Sequence, residues 1–402
     1  MKVISSERLP IKMWLEDIED GALQQAKNLA NLPFAYKHIA IMPDSHQGYG
    51  MPIGGVLATE GVIIPNAVGV DIGCGMCAVK TSLTEINTET FKKIMGEIRK
   101  VIPVGFKKHD KAQNIRLMPL LPDEGNIVWA NKENALKSLG TLGSGNHFIE
   151  IQKGSDGHIW IMIHSGSRNL GKQVADYYNK IAKDLNAKWH VSVPKEHDLA
   201  FLPVDSDEGQ NYIKEMNYCV EFALANRKLM MERIKKVFLE IIEEDTRKKQ
   251  IKSATRLSDI NLEFEPIINI AHNYASLEHH FGKNVWVHRK GATLAREGTI
   301  GIIPESQGTK SYIVKGKGNK ESFESCSHGA GRAMSRTEAK KTLNLEEEIA
   351  KMEAKGIIHG MRHQNDLDEA SGSYKDIDVV MANQSDLVDI LITLEPIAVI
   401  KG

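Results

Sequence analysis

Residues 140–171 read GTLGSGNHFIEIQKGSDGHIWIMIHSGSRNLG. Glycine crowds both ends, at 140–147 and 164–171, and apolar residues fill much of the middle. His158–Ile163 is a short apolar strand. Over 146–151 (NHFIEI), strand alternation puts Asn146, Phe148 and Glu150 on one face and His147 and Ile149 on the other. From residue 170 the pattern turns helical over 170–190 and again over 208–247. There Ile213, Met216, Val220, Ala223, Met230, Ile234, Phe238 and Ile241 recur at three- and four-residue steps along one face. Polar RKKQIK at 247–252 closes that stretch. Elsewhere 86–101 suits a helix, 266–271 and 299–303 suit strands, and 332–355 reads as helix. The apolar clusters of 376–400 (Ile377, Val379, Val380, Leu391, Ile392 and Ile397–Ile400) return to the sheet. Strands and helices alternate irregularly, with no βαβ period. The expected class is therefore α+β: a single large domain over 1–402 with a mixed β-sheet core and peripheral helices, including a helical segment at about 170–250.

Three further glycine runs stand far apart in the chain: 43–55 (PDSHQGYGMPIGG), 69–75 (GVDIGCG) and 328–332 (HGAGR). Glycine lets backbone take positive φ and approach a ligand closely. Five such runs predict one site assembled from many loops. Composition narrows the class. The 402 residues are 42% hydrophobic and 26% charged, which excludes a wholly disordered chain. A net charge of −1 gives no global field for polyanions, so any nucleic-acid contact must come from a local basic surface. No run of about 18 apolar residues is present. The start, MKVISSERLPIKMW, lacks the apolar stretch of a secretory signal, so a cytoplasmic protein with no membrane partner is expected. Cys74, Cys77, Cys219 and Cys326 are too few for a disulfide scaffold.

Three histidines, His147, His164 and His272, each sit where an apolar strand-like segment meets a Gly- or Asn-containing turn. Strand ends are rigid and the adjoining loops are open to ligand. Asp71 and Cys74 share a glycine-rich turn, and together these five residues make a divalent-metal donor set. Cys74 and Cys77 form a CxxC, but the setting is not that of a redox pair, and Cys77 is expected to be buried. SHGAGR precedes a helical run. A glycine-rich turn entering a helix presents backbone N–H groups to phosphate, and Arg332 adds a bidentate donor. His328 at its head could be a base, a metal ligand or a nucleophile. The Asn146–Phe148–Glu150 face could take a purine by stacking and carboxylate acceptance, or be a core Phe beside a surface Glu.

The segments MPDSHQGYGMPIGG, VGVDIGCGM, GTLGSGNHFIE, HSGSRNLG, HNYA, HRKGAT and SHGAGRAMSR, with the final KG, run in order from residue 42 to 402. Together they resemble the RtcB-type RNA ligases, GTP- and manganese-dependent enzymes. The resemblance implies an RtcB-like fold and the joining of an RNA 3′-phosphate or 2′,3′-cyclic phosphate end to a 5′-hydroxyl end, in RNA repair or tRNA splicing. It implies GTP and two Mn²⁺ per active site, and leaves room for an accessory activating protein. By resemblance, His328 becomes guanylylated and passes GMP to the RNA 3′ end. Cys74 bridges two metals, with Asp71, His147, His164 and His272 as further ligands. Asn146, Phe148, Glu150, Ser306, Ser311 and Lys401 match nucleotide-pocket positions, Gly331 and Arg332 match phosphate contacts, and Arg168 and Lys290 match basic residues acting on phosphates. Asp44 matches a carboxylate that would orient the Cys74 region.

The chain departs from the family pattern at Asp368-Glu369-Ala370-Ser371-Gly372, where proline usually follows alanine, and at Glu305 and Gln307, where small or apolar residues are usual. Local basic surface for RNA is sought at Arg99-Lys100, Lys107-Lys108-His109, Arg247–Lys252 and Lys315/Lys317/Lys320. Two other readings use the same residues. A metal-dependent RNA cyclic phosphodiesterase or hydrolase would need no purine pocket, and a non-enzymatic zinc or RNA-binding protein would leave Arg168, Lys290 and Arg332 without a task.

Overall fold

The stretch around residue 150 forms the heart of a sheet. In the computed structural model, which describes residues 1–122, 126–253 and 262–402, with backbone alone for 246–253, strand Phe148–Gly154 pairs antiparallel with Ile159–Ser165. The register sets Phe148 opposite His164 and Ile149 opposite Ile163. Period-2 alternation then gives two faces. Ile149, Ile151, Ile161 and Ile163 point to a core built with Met230, Ile234 and Phe238 of the long helix Asp207–Ser253 and Phe91, Ile94 and Ile98 of helix Thr88–Val101. Phe148, Met162 and Trp160 pack on the opposite side with Met352, Met361 and Leu394. Each of these fully buried apolar side chains contributes about 1.5–3 kcal/mol relative to exposure, so this layer fixes which face of the sheet can turn toward a ligand.

Seven strands make that sheet, in the order Ile268–Ala271, Gly75–Lys80, Ile159–Ser165, Phe148–Gly154, Val388–Lys401, Ser311–Gly316 and Ile300–Ile303, all antiparallel. A second sheet of six strands runs Lys2–Ile4, Ile11–Met13, Ala35–His46, Ile53–Thr59, Lys283–Lys290 and Asn273–His280. It is the mixed one, since Ile11–Met13 lies parallel to Ala35–His46. Helices flank both, so the fold is mixed α/β with sheets at its core, as expected. The chain passes from one sheet to the other at His272, between Ile268–Ala271 and Asn273–His280. Among the described residues, no helix is long and apolar enough to cross a membrane.

The structure corrects the pattern reading in two places. Residues 332–355 are not one helix. Ser335 Oγ accepts from Glu338 N–H and starts a helix only at Arg336, which ends at Thr342; Asn344 caps the next, Leu345–Ala354. Arg332 is held in an isolated bridge to Tyr374, and the chain bends at 333–334 before the helix. The glycine-rich HGAGR turn therefore does not open directly onto a helix N-terminus. Likewise Ile377–Asn383 is a helix, capped by Asp376, and only Val388–Lys401 returns to the sheet. Ile377, Val380 and Met381 are buried while Val379 is exposed, a three- and four-residue spacing rather than alternation.

Candidate active site

The titratable residues singled out by the sequence meet where strands end. Cys74 directly precedes strand Gly75–Lys80, His147 directly precedes Phe148–Gly154, and His164 lies one residue from the end of Ile159–Ser165. Gly73 makes the approach to Cys74 feasible. Its φ is +78°, and a Cβ there would sit 2.8 Å from the Cys219 carbonyl oxygen of the long helix. Cys74 Sγ lies 3.5 Å from His147 Nε2 and 3.3 Å from His164 Nε2, and His147 Nε2 lies 3.3 Å from Asp71 Oδ2.

Two donor triads result, each with its ligand atoms within 4.8 Å of one another: Asp71, Cys74 and His147, and Cys74, His164 and His272. Cys74 belongs to both. The donor chemistry fits divalent metal. His164 donates Nδ1–H to the Asn146 carbonyl at 2.9 Å, which leaves the Nε2 lone pair facing Cys74. Burial, followed by the neighbouring histidines, pushes His164 and His272 well below the ordinary imidazole range, so both are neutral donors. Nδ1 of His272 is buried and meets no hydrogen-bond partner among the described residues. Burial, then the Asp71 charge, pushes the Cys74 thiol well up, so a thiolate here requires a cation beside it. Burial works against the Asp71 carboxylate as well, but His147 outweighs it and holds Asp71 at about 2.

His328 follows strand Ser325–Ser327 and its ring meets the His272 ring at 4.7 Å between centroids. Its environment fixes its tautomer. Asp44 is fully buried, and its Oδ2 accepts from His328 Nδ1 at 2.7 Å, His328 N–H at 3.1 Å and Gly329 N–H at 3.3 Å. With Nδ1 protonated and bound, the lone pair resides on Nε2. Gly331 lets the turn close over Asp44, because φ is +76° and a Cβ would lie 1.9 Å from the Asp44 carbonyl oxygen. A cavity opens in front of this histidine. His147, His164 and His328 line it together with Asn146, Phe148, Ser306, Gly331, Arg332 and Lys401.

A family model described as tRNA-splicing ligase RtcB matches residues 25–126 and 121–402. The chain belongs to the RtcB family. It is similar to the RNA-splicing ligase RtcB of Escherichia coli K12, at 40% identity over 423 positions, covering 100% of this chain and 99% of that protein. The tRNA-splicing ligase RtcB of Thermococcus kodakarensis is 32% identical over 98% of this chain and 95% of its own length, and that of Nanoarchaeum equitans 34% identical over 100% and 95%.

Within this RtcB-family chain, the expected site residues divide by position. Glu150 and Ser311 lie behind the cavity wall. Gln152 Nε2 donates to Glu150 Oε2 at 2.8 Å and to Ser311 Oγ at 3.2 Å. Glu150 Oε1 is buried without a partner among the described residues, and burial pushes its carboxyl up to about 8. Arg168 sits behind His147, with Nη1 3.4 Å from His147 Nδ1 and Nε donating to Thr141 Oγ1 at 3.3 Å. Lys290 is buried, gives Nζ–H to the carbonyls of Tyr49 at 2.6 Å and Asn66 at 3.1 Å, and is pushed down to about 7 by that burial. Neither Arg168 nor Lys290 lines the cavity. Arg332 does line it, but it is braced by Glu369 Oε2 at 3.0 Å and the Asp368 carbonyl at 2.7 Å and lies over the Tyr374 ring. Asp44, expected beside Cys74, instead orients His328, because the 43–46 segment runs under the HGAGR turn.

The sequence reading did not single out His46, Tyr374, Arg336 or Glu369, all of which line the cavity. His46 and Arg336 stood inside the quoted motifs MPDSHQGYGMPIGG and SHGAGRAMSR. Glu369 was named only within the departing segment 368–372, and nothing there announces its task of holding Arg332 and Arg336 from a distance. Glu305 and Gln307, the departures from the family pattern, also line the cavity. The described basic patches at Arg99-Lys100, Lys107-Lys108-His109 and Lys315/Lys317/Lys320 do not line it, and the side chains of Arg247–Lys252 lie outside the described residues. Cys77 is fully buried, as expected, and all four cysteines are free.

Proposed function

We propose that this chain, acting as one catalytic domain, joins RNA ends bearing a 3′-phosphate or 2′,3′-cyclic phosphate to ends bearing a 5′-hydroxyl, with GTP as the activating substrate. The observation that carries the proposal is the Asp44–His328 pair facing a cavity shared with the Cys74 donor set. His328 Nε2 attacks the α-phosphorus of GTP. A phosphoramidate bond forms, the bond to pyrophosphate breaks, and Asp44 holds the Nδ1 proton and offsets the charge growing on the ring. A 2′,3′-cyclic phosphate is first opened by water, which breaks the bond from phosphorus to the 2′-oxygen and leaves a 3′-phosphate. A 3′-phosphate oxygen then takes GMP from Nε2, and the 5′-hydroxyl oxygen displaces GMP to close the phosphodiester, releasing one proton.

Asp71, Cys74 and His147 would hold one divalent cation and Cys74, His164 and His272 a second. Such cations, as Mn²⁺, would offset phosphate charge and polarise the phosphorus under attack. Phe148 supplies a stacking face. Asn146 and Ser306 supply polar groups on the cavity wall, Glu150 stands behind it on Gln152, and Arg332 and Lys401 supply positive charge. This division of labour supports nucleotide transfer over simple hydrolysis, which needs no base pocket.

Incubation with α-labelled GTP and Mn²⁺, then with RNA halves carrying 2′,3′-cyclic phosphate and 5′-hydroxyl ends, tests the reading. Label that appears on protein, is acid-labile, and is chased by the 3′-phosphate RNA supports ligation. Cleavage of the cyclic phosphate without label uptake would establish the hydrolase instead.

A further inference from the structure

Arg227 lies midway along helix Asp207–Ser253 and is fully buried. Among the described residues no carboxylate is paired with it; its guanidinium is spent on three backbone carbonyls and one side-chain amide oxygen. Nη1 donates to the Gly73 carbonyl at 3.0 Å and the Ser165 carbonyl at 2.8 Å, Nη2 to the Ile270 carbonyl at 3.1 Å, and Nε to Asn269 Oδ1 at 2.8 Å. Those carbonyls have a common property. Gly73 precedes Cys74, Ser165 follows His164, and Ile270 lies two residues before His272. One side chain thus fixes the three segments that carry one complete donor triad.

The preceding residue treats the other triad in the same way. Asn226 is also fully buried. Its Oδ1 accepts from Gly140 N–H at 2.7 Å and Thr141 N–H at 3.2 Å, on the turn leading to His147, and its Nδ2 donates to the Gly166 carbonyl at 3.3 Å. Gly166 packs on Asp71, whose Oδ1 would lie 2.6 Å from a Cβ there.

A buried guanidinium without a counter-charge is costly, and an apolar side chain would fill this helix position more favourably if packing were its only task. Its planar fork holds three carbonyls and an amide oxygen in fixed directions from three separate segments, a geometry that the compact ammonium of lysine does not reproduce. We propose that Arg227 is a positioning residue for the metal centre: it sets the spacing of Cys74, His164 and His272, and the affinity of that triad for a divalent cation depends on it. The inference rests on the proposed metal centre.

The test is titration of Mn²⁺ alone into the metal-free full-length chain, with free Mn²⁺ read by electron paramagnetic resonance well below each variant's melting temperature. Arg227→Lys keeps the charge and loses the fork. It should bind Mn²⁺ about 10–100-fold more weakly, the usual effect of losing a group that orients metal ligands. Mn²⁺ affinity and stoichiometry equal to wild type would overturn the inference, however far the melting temperature falls. Should Arg227→Lys not fold, Asn269→Ala decides: at a half-buried strand position it removes the acceptor on Nε, along with one Nδ2–H bond to the Leu224 carbonyl, and leaves the three backbone contacts of Arg227 in place. A several-fold loss of Mn²⁺ affinity supports the role and an unchanged affinity refutes it. Cys74→Ala separates the two levels: if it binds Mn²⁺ like wild type, the metal centre itself is misassigned.

Discussion

Replacing Asp44 by Asn perturbs His328, the proposed nucleophile, without touching the donor triads. In the native site one oxygen, Oδ2, takes three N–H groups from His328 and Gly329, and Oδ1 is buried with no partner among the described residues. An asparagine that keeps its oxygen toward the three donors preserves the tautomer but loses the negative charge. Two unit charges about 4 Å apart at an effective dielectric of about 20 interact by about 4 kcal/mol, and the imidazole becomes cationic as Nε2 bonds to phosphorus. Losing that term slows the attack by about a thousandfold. An asparagine turned the other way points NH₂ at the donors and places the ring proton on Nε2, a change worth about 10⁴ in a comparable histidine–carboxylate pair. Either orientation gives a large loss. The assay is single-turnover labelling with α-labelled GTP at saturating Mn²⁺, alongside Mn²⁺ titration to show that the metal set is intact. An Asp44→Asn variant that labels within tenfold of wild type would refute the tautomer argument.

Other consequences follow from the same geometry. Glu150 has its carboxyl raised to about 8 from an ordinary 4.5, chiefly by burial, so its protonated form favours the folded state. That contribution is present below about pH 4.5 and is lost as pH rises through about 8. Wild type should therefore lose stability relative to Glu150→Gln between pH 5 and pH 8 in denaturant melts, and parallel curves would contradict the assignment. Gly331→Ala forces a left-handed φ on alanine and drives its Cβ into the Asp44 carbonyl, so labelling should collapse, with a stability loss of at least about 1–3 kcal/mol. A variant that melts and labels like wild type would show that the turn can relax. Lys401→Met removes a rim cation that also pairs with Asp368. The KM for GTP should rise about tenfold or more, as expected for a lost hydrogen bond to a charged group, with a smaller change in kcat. An unchanged KM would remove Lys401 from nucleotide binding.

Local chemistry was the legible part of the sequence. Strand-end placement of His147, His164 and His272 and the Asp71–Cys74 turn can be read from neighbours in the chain, and they do converge in space. Alternation over 146–151 holds only from Phe148 onward, because the strand begins there; His147 swings toward Cys74 from the preceding turn. Long-range partnerships left no trace. Asp44 meets His328 across 284 positions, and nothing in either segment announces the other. The helix after HGAGR was misplaced because Ser335-Arg336-Thr337-Glu338 is a start signal that the apolar pattern concealed. Arg227 and Asn226 were hidden in plain view. The apolar face of the long helix steps from Ala223 to Met230, and the positions that complete the spacing are these two polar residues, which signals a buried polar task.

The most direct measurement is where the nucleotide attaches. Digestion of the protein after incubation with GTP and Mn²⁺, followed by tandem mass spectrometry under alkaline conditions, should place a GMP group on the imidazole of His328, with none on His328→Ala. A GMP adduct on another residue such as Lys290, or strand joining that persists in His328→Ala, would contradict the account.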